Sequence, residues 1–159
     1  MQRRHPNKDL FPGLIDISAA GHMLAGESMH DGVRELEEEV GIAPPFEQLV
    51  SLGIYSEQLE GPGFKDNEHC HIYLYEYDGA MEQLTIQESE ITAMVQILLE
   101  DIEDLLLEDR QYVSVVGFEC HGGRKIPFRT TVSKKDFVPH DEAYYRMVID
   151  GIKQHYSKK

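Results

Sequence analysis

Tryptophan is absent from this 159-residue chain, and cysteine nearly so. The two cysteines, Cys70 and Cys120, form no CxxC pair, and no secretory apolar segment follows Met1. This composition argues against a disulfide framework or a zinc ribbon and for a reducing, cytoplasmic setting. Long apolar runs are missing too. The stretch "LLL" at Leu105–Leu107 falls far short of the roughly 20 residues that span a bilayer, so no membrane partner is expected. Positive charge is scarce: 15 Lys and Arg face 29 Asp and Glu, for a net charge of -14. Such a field repels a nucleic-acid backbone, which excludes nucleic acid as a partner, but it suits recruitment of divalent cations. Also absent are a P-loop, an HExxH pair, an EF-hand loop and a G-x-S-x-G elbow. With no internal repeat and turn residues spread along its length, the chain reads as a single domain over residues 1–159.

"MQRRHPNKDLFPG" reads as the end of a strand running into a loop, with Pro6, Asn7, Pro12 and Gly13 as turn signals. "LIDISAAG", Leu14–Gly21, follows as a short buried strand. Ser28 and Asp31 have the spacing of a capping box with Asp in place of Glu, and Gly41 stands where a C′ glycine stops a helix, so a helix is expected from about Met29 to Val40. "LVSLGIYSE" and "EHCHIYLYEY" read as strands around a Gly and Pro loop, "LEGPGFKDN". "ITAMVQIL" reads as a strand and "EDIEDLLLE" as a short helix, while "YVSVVGFEC" stays open between the two. A final helix spans roughly Asp141 to His155. Strands and helices alternate without a strict βαβ order, which favours an α/β sandwich around a mixed β-sheet.

The stretch "RELEEEVGI", Arg34–Ile42, carries the chemistry. At about 100° per residue, Glu35, Glu38 and Glu39 fall on one helix face, with Glu38 near -60° and Glu39 near +40° of Glu35. Met29, Val33, Leu36 and Val40 form a separate apolar stripe, and Glu37 points away from the three. Like charges at these spacings cost about 0.2–0.5 kcal/mol per pair, and carboxylates in a last turn oppose the helix dipole. A bound Mg²⁺ or Mn²⁺ would remove both penalties, since hard oxygen ligands on adjacent turns suit such ions.

The wider segment "GHMLAGESMHDGVRELEEEVGI", Gly21–Ile42, resembles the Nudix box, G-x5-E-x7-R-E-U-x-E-E-x-G-U with U a bulky aliphatic. Gly21, Glu27, Arg34, Glu35, Leu36, Glu38, Glu39, Gly41 and Ile42 match; six residues instead of seven separate Glu27 from Arg34. The resemblance implies an α/β/α sandwich and Mg²⁺-dependent hydrolysis of a diphosphate bond in a nucleoside di- or triphosphate or a nucleoside-diphosphate-linked compound. It implies metal ligation by Glu38 and Glu39, with Glu35 as a ligand or water activator, the Gly21 carbonyl as a further ligand, and Arg34 orienting the glutamates. The general base stays open among Glu35, Glu88 and Glu90.

"RRHPNKDLFPGLIDISAAGH" is similar to the isopentenyl diphosphate isomerase branch of the same superfamily, where an Arg and a Lys four residues apart meet the diphosphate; here these are Arg4 and Lys8. His22 and the acidic Asp66 and Glu68 match that branch, but Ala20 stands where the isomerase has its essential cysteine. A hydrolase is therefore expected, with the isomerase and a non-catalytic nucleotide-binding module as alternatives. Compared with such proteins, the chain is expected to lack an N-terminal strand or hairpin. The edge left open could pair with a second chain as a homodimer. Weaker candidates are His69 and His71 on one strand face, a base-stacking role for Tyr73, Tyr75 and Tyr77, and the "CHGGRK" loop, Cys120–Lys125.

Overall fold

The computed structural model describes residues 1–23, 25–61 and 63–159, and the backbone alone of Asp66. Among the described residues, seven strands and three α-helices follow in the order β1 (Gln2–Arg4), β2 (Ile15–Asp16), α1 (Val33–Val40), β3 (Val50–Gly61), β4 (Phe64–Leu74), β5 (Ile91–Gln96), α2 (Leu99–Leu107), β6 (Val113–His121), β7 (Arg124–Val132) and α3 (Glu142–Ser157). Five strands form one sheet in the order β2-β1-β5-β6-β7, and β3 and β4 form a separate two-stranded ribbon.

Period-two alternation on β5 and β6 explains the layering. Val95, Val113 and Val115 face a core with Leu105 and Leu106 of α2 and Tyr144 and Tyr145 of α3. Met94, Phe118 and Cys120 face the other way, against Val40 at the end of α1. A sheet that is apolar on both faces needs a helix layer on each, and this yields the expected three-layer α/β/α arrangement. The ribbon joins the first core through Ile72, which is 6% exposed.

Four expectations need correction. The chain does not lack its N-terminal strand: β1 lies inside the sheet, antiparallel to both β2 and β5. Three residues suffice there because flanking groups extend the ladder, with Val95 N–H donating to the Met1 carbonyl at 2.8 Å and Arg4 N–H to Leu14 at 2.9 Å. The sheet is not mixed: its strand pairs are antiparallel, and among the described residues parallel pairing is confined to an Ile15–Phe137 bridge. The loop expected at "LEGPGFKDN" is mostly strand, since Leu59 pairs with Asp66 and Gly61 with Phe64; Pro62 lies outside the described residues. The helix expected from Met29 starts at Val33. Asp31 does accept from Ser28 N–H and Oγ, both at 2.8 Å, but over a turn that precedes the helix. The ambiguous "YVSVVGFEC" is strand β6, and a partner that the sequence did not announce, β7, pairs with it over its whole length.

Gly41 ends α1 at φ +76°, its N–H on the Glu37 carbonyl at 2.9 Å. A Cβ there would also stand 2.8 Å from Thr85 Cβ, so both backbone and packing require glycine. The close approach matters because Thr85 and Gln87 N–H donate to the last α1 carbonyls, of Val40 and Glu39, at 3.0 Å each, which holds the 85–90 loop beside the glutamate face.

Candidate active site

Within α1 the glutamates divide by burial. Glu37 and Glu38 are exposed, Glu35 is half-buried, and Glu39 is 5% exposed. Glu39 Oε2 accepts from Ala20 N–H at 3.0 Å and from Gln2 Nε2 at 3.5 Å. Burial pushes its carboxyl up to about 7, helped by the charges of Glu35 and Glu90 and opposed by the Ala20 hydrogen bond and Lys8. An acid this short of compensating charge is poised to give up its proton to a cation.

Lys8, Glu35, Glu38, Glu39 and Glu90 line a polar cleft of about 260 Å³ together with Ala20, Gly21, His22 and Gln87. Lys8 Nζ pairs with Glu90 across it. Arg34 gathers three carboxylates: Nη2 lies 2.8 Å from Glu35 and 3.3 Å from Glu27, and Nη1 lies 3.3 Å from Glu38. The short spacing before Arg34 therefore leaves Glu27 within its reach. Though desolvation opposes it, the charge of the three carboxylates holds the guanidinium above its ordinary range.

The chemistry of the donor set fits a hard divalent cation, being carboxylate and carbonyl oxygen with no thiolate. Gly21 gives a second indication: a Cβ there would come within 2.2 Å of Glu35 Cγ and 2.5 Å of Glu35 Oε2, so its backbone lies directly against a carboxylate. Among the described residues no three His, Cys, Asp or Glu side chains stand close enough together to hold an ion as placed. Arg34 takes an oxygen from each of Glu35 and Glu38. Gly21→Ala should spare the fold, because the Glu35 side chain can swing aside. By driving Glu35 out of the cleft it should weaken Mn²⁺ binding about 10-fold or more, with a melting temperature within a few degrees of wild type.

The remaining sequence candidates divide. Lys8 reaches the cleft, whereas Arg4 does not: its Nε donates to the Leu10 carbonyl and its Nη1 to Asp16, each at 3.1 Å. Glu88 accepts from Gly122 N–H at 2.8 Å and from Gly123 N–H, pinning the β6–β7 turn, while Glu90 faces the cleft. Lys125 of that hairpin donates to the Glu82 carbonyl at 2.6 Å. His69 bonds Ser56 Oγ at 2.8 Å, and Tyr73 packs edge-on to Phe46 at 5.6 Å. His22 Nε2 meets Glu68 at 2.6 Å, and the Asp66 side chain lies outside the described residues. Sequence reasoning missed Gln2, Gln87 and the Ala20 amide, none of which has a residue type that signals a role at a cation site.

A family model described as the NUDIX domain matches residues 1–115. The chain is 37% identical over 156 residues to an uncharacterized Nudix hydrolase of Clostridium acetobutylicum, covering 98% of this chain and 76% of that protein. It is 34% identical over 119 residues to Nudix hydrolase 3 of Arabidopsis thaliana, covering 71% of this chain and 15% of that one. Nudix hydrolase YfcD of Salmonella typhi is 29% identical over 110 residues, 64% of this chain and 51% of its own length. No solved structure matches.

Proposed function

The chain belongs to the Nudix hydrolase family, and on that premise we propose that it cleaves a diphosphate bond with Mg²⁺, or Mn²⁺ in its place. The substrate class is a nucleoside di- or triphosphate or a nucleoside-diphosphate-linked compound. The observation that carries this reading is the buried Glu39 carboxyl, pushed up to about 7, in a cleft it shares with Glu35, Glu38 and the Gly21 backbone. Glu35, Glu38, Glu39 and the Gly21 carbonyl would hold the ion. When bound, it polarises the diphosphate and lowers the pKa of the attacking water.

The chain's own residues do the rest. Lys8 meets the diphosphate, and in turning to it releases Glu90, which then takes the proton of the attacking water. Glu90 is preferred to Glu88 because Glu88 is spent on the Gly122 and Gly123 amides. Arg34 orients Glu35 and Glu38 by charge-assisted hydrogen bonds. The spacing of Arg4, Lys8 and His22 supports membership of the isopentenyl-diphosphate-isomerase-like branch. Against isomerisation itself, Ala20 contributes no thiol, and burial raises the thiols of both cysteines, that of Cys70 to about 11 with Glu68 adding to it. Among the described residues no helix is long and apolar enough to cross a membrane.

A thermal shift tests the ion site without a substrate. Mg²⁺ at about 100 times its dissociation constant should stabilise by about 2.7 kcal/mol, a rise of roughly 5–10 °C for a chain of this size. Because Glu39 keeps its proton below about pH 7, the ion must displace that proton under acid conditions, and the rise should be smaller at pH 5.5 than at pH 8. An equal rise at both values would remove Glu39 from the ligand set.

A further inference from the structure

His140 lies outside the cleft and outside the Nudix box, and both its ring nitrogens are engaged by buried carboxylates. Nδ1 meets Glu57 at 2.6 Å and Nε2 meets Asp16 at 3.1 Å, with side-chain exposures of 11% for His140, 7% for Asp16 and 3% for Glu57. The ring stacks on Tyr144 at 4.3 Å. Asp16 accepts in addition from Arg4 at 3.1 Å and from Ile17 N–H at 2.8 Å, and Glu57 Oε1 accepts from Asp141 N–H at 3.0 Å, at the start of α3. This cluster ties three elements together: β2, the ribbon and α3.

Its position along the chain gives it a role. β2 is two residues long and lies at the edge of the sheet. Past Asp16 the ladder supplies one bond, from Gln2 N–H to the Ile17 carbonyl at 3.3 Å. Four residues beyond Asp16, Ala20 N–H meets Glu39, and Gly21 lies against Glu35. At the far end of the same segment His22 is held by Glu68, which pairs directly across the ribbon with Glu57. One rung of the ribbon thus meets the 16–22 segment at both ends, at His22 through an exposed pair and at Asp16 through the buried His140.

We propose that His140 is a positioning residue for the metal cleft, setting, through Asp16, where Ala20 and Gly21 stand against Glu39 and Glu35. The inference rests on the reading of Glu39 and Gly21 as ion ligands. Residues that orient metal ligands from behind typically change metal affinity 10- to 100-fold when replaced.

The test compares His140→Ala, His140→Gln and Asp16→Asn with Leu105→Ala, a core truncation remote from the cleft, in the full chain. Two quantities are read besides melting temperature: hydrogen exchange of the Ala20 amide without metal, and Mn²⁺ affinity by electron paramagnetic resonance. His140→Ala should speed Ala20 exchange and weaken Mn²⁺ binding about 10-fold or more. His140→Gln, which still donates to one carboxylate, should recover part of both. Leu105→Ala should lower the melting temperature with neither change. If His140→Ala does not fold, Asp16→Asn carries the same expectation. Ala20 exchange and Mn²⁺ affinity that follow the melting temperature alone, as in Leu105→Ala, would overturn the proposal. If wild type binds no Mn²⁺, the ion-site reading fails, and Ala20 exchange alone decides: faster in His140→Ala supports the positioning role, unchanged refutes it.

Discussion

Glu39→Gln is expected to lose about three orders of magnitude of Mg²⁺-dependent turnover while melting, without metal, at or above the wild-type temperature at pH 8. The two effects have one origin. The amide keeps the shape and the acceptor oxygen that Ala20 N–H needs, so the buried hydrogen bond at 3.0 Å survives. What disappears is the negative charge. For the ion that is a lost anionic ligand, and several kcal/mol of metal-derived transition-state stabilisation corresponds to about 10³-fold in rate. For the metal-free fold the sign reverses. A carboxyl pushed up to about 7 binds its proton more tightly folded than unfolded. Wild-type stability therefore falls as pH rises from the ordinary carboxyl value of roughly 4.3 towards 7. Glutamine carries no such penalty, so its advantage in metal-free melting should be present at pH 8 and vanish near pH 4. A variant that melts well below wild type at every pH would show that Glu39 serves the fold rather than the ion.

His140→Ala should cost about 3–5 kcal/mol of stability, because it leaves Asp16 and Glu57 as buried carboxylates without the imidazole they share. Total stabilities of such domains are about 5–15 kcal/mol, so a drop of about 10 °C or more in melting temperature is expected. The pH dependence identifies the cause. Burial works against the His140 imidazolium, but Asp16 and Glu57 outweigh it and hold its pKa above the ordinary value. Its contribution is thus full below about pH 6.5 and lost as pH rises through the raised folded value. For Asp16, burial pulls upward, and the His140 hydrogen bond and charge prevail to hold its pKa below the ordinary carboxylate value. That contribution is present above about pH 3.9 and lost as pH falls through the lowered value. The gap between wild type and His140→Ala should be widest in between and close toward both extremes. Chemical denaturation at three pH values measures it; a gap independent of pH would reduce His140 to ordinary packing.

The glutamate-rich helix was legible in the sequence because its signals are local. Periodicity separated Glu39 from Glu37, and Gly41 fixed the end of α1, which the structure bears out with a buried and an exposed side chain and a left-handed glycine. The strand at "ITAMVQIL" was equally readable, but that β5 feeds Val95 to one core and Met94 to the other emerges only in the fold. What escaped depends on contacts distant in the chain. Nothing near "VPHDE" announces that His140 meets Asp16, 124 residues earlier. β7 escaped because it is an outer strand with most of its residues exposed, so its apolar pattern is weak. Arg4 and Lys8 look alike as cations four residues apart, and only the fold distinguishes them, by engaging Arg4 with Asp16 and leaving Lys8 in the cleft.

The most direct measurement is release of phosphate, pyrophosphate or nucleotide from a panel of nucleoside diphosphates, triphosphates and dinucleotides, with Mg²⁺ and with chelator, for wild type and Glu39→Gln side by side. Cleavage of at least one member by wild type, abolished by chelator and reduced about 10³-fold in Glu39→Gln, is the predicted result. Wild-type-like turnover in Glu39→Gln, or metal-dependent nucleotide binding by wild type with no cleavage of any member, would contradict it.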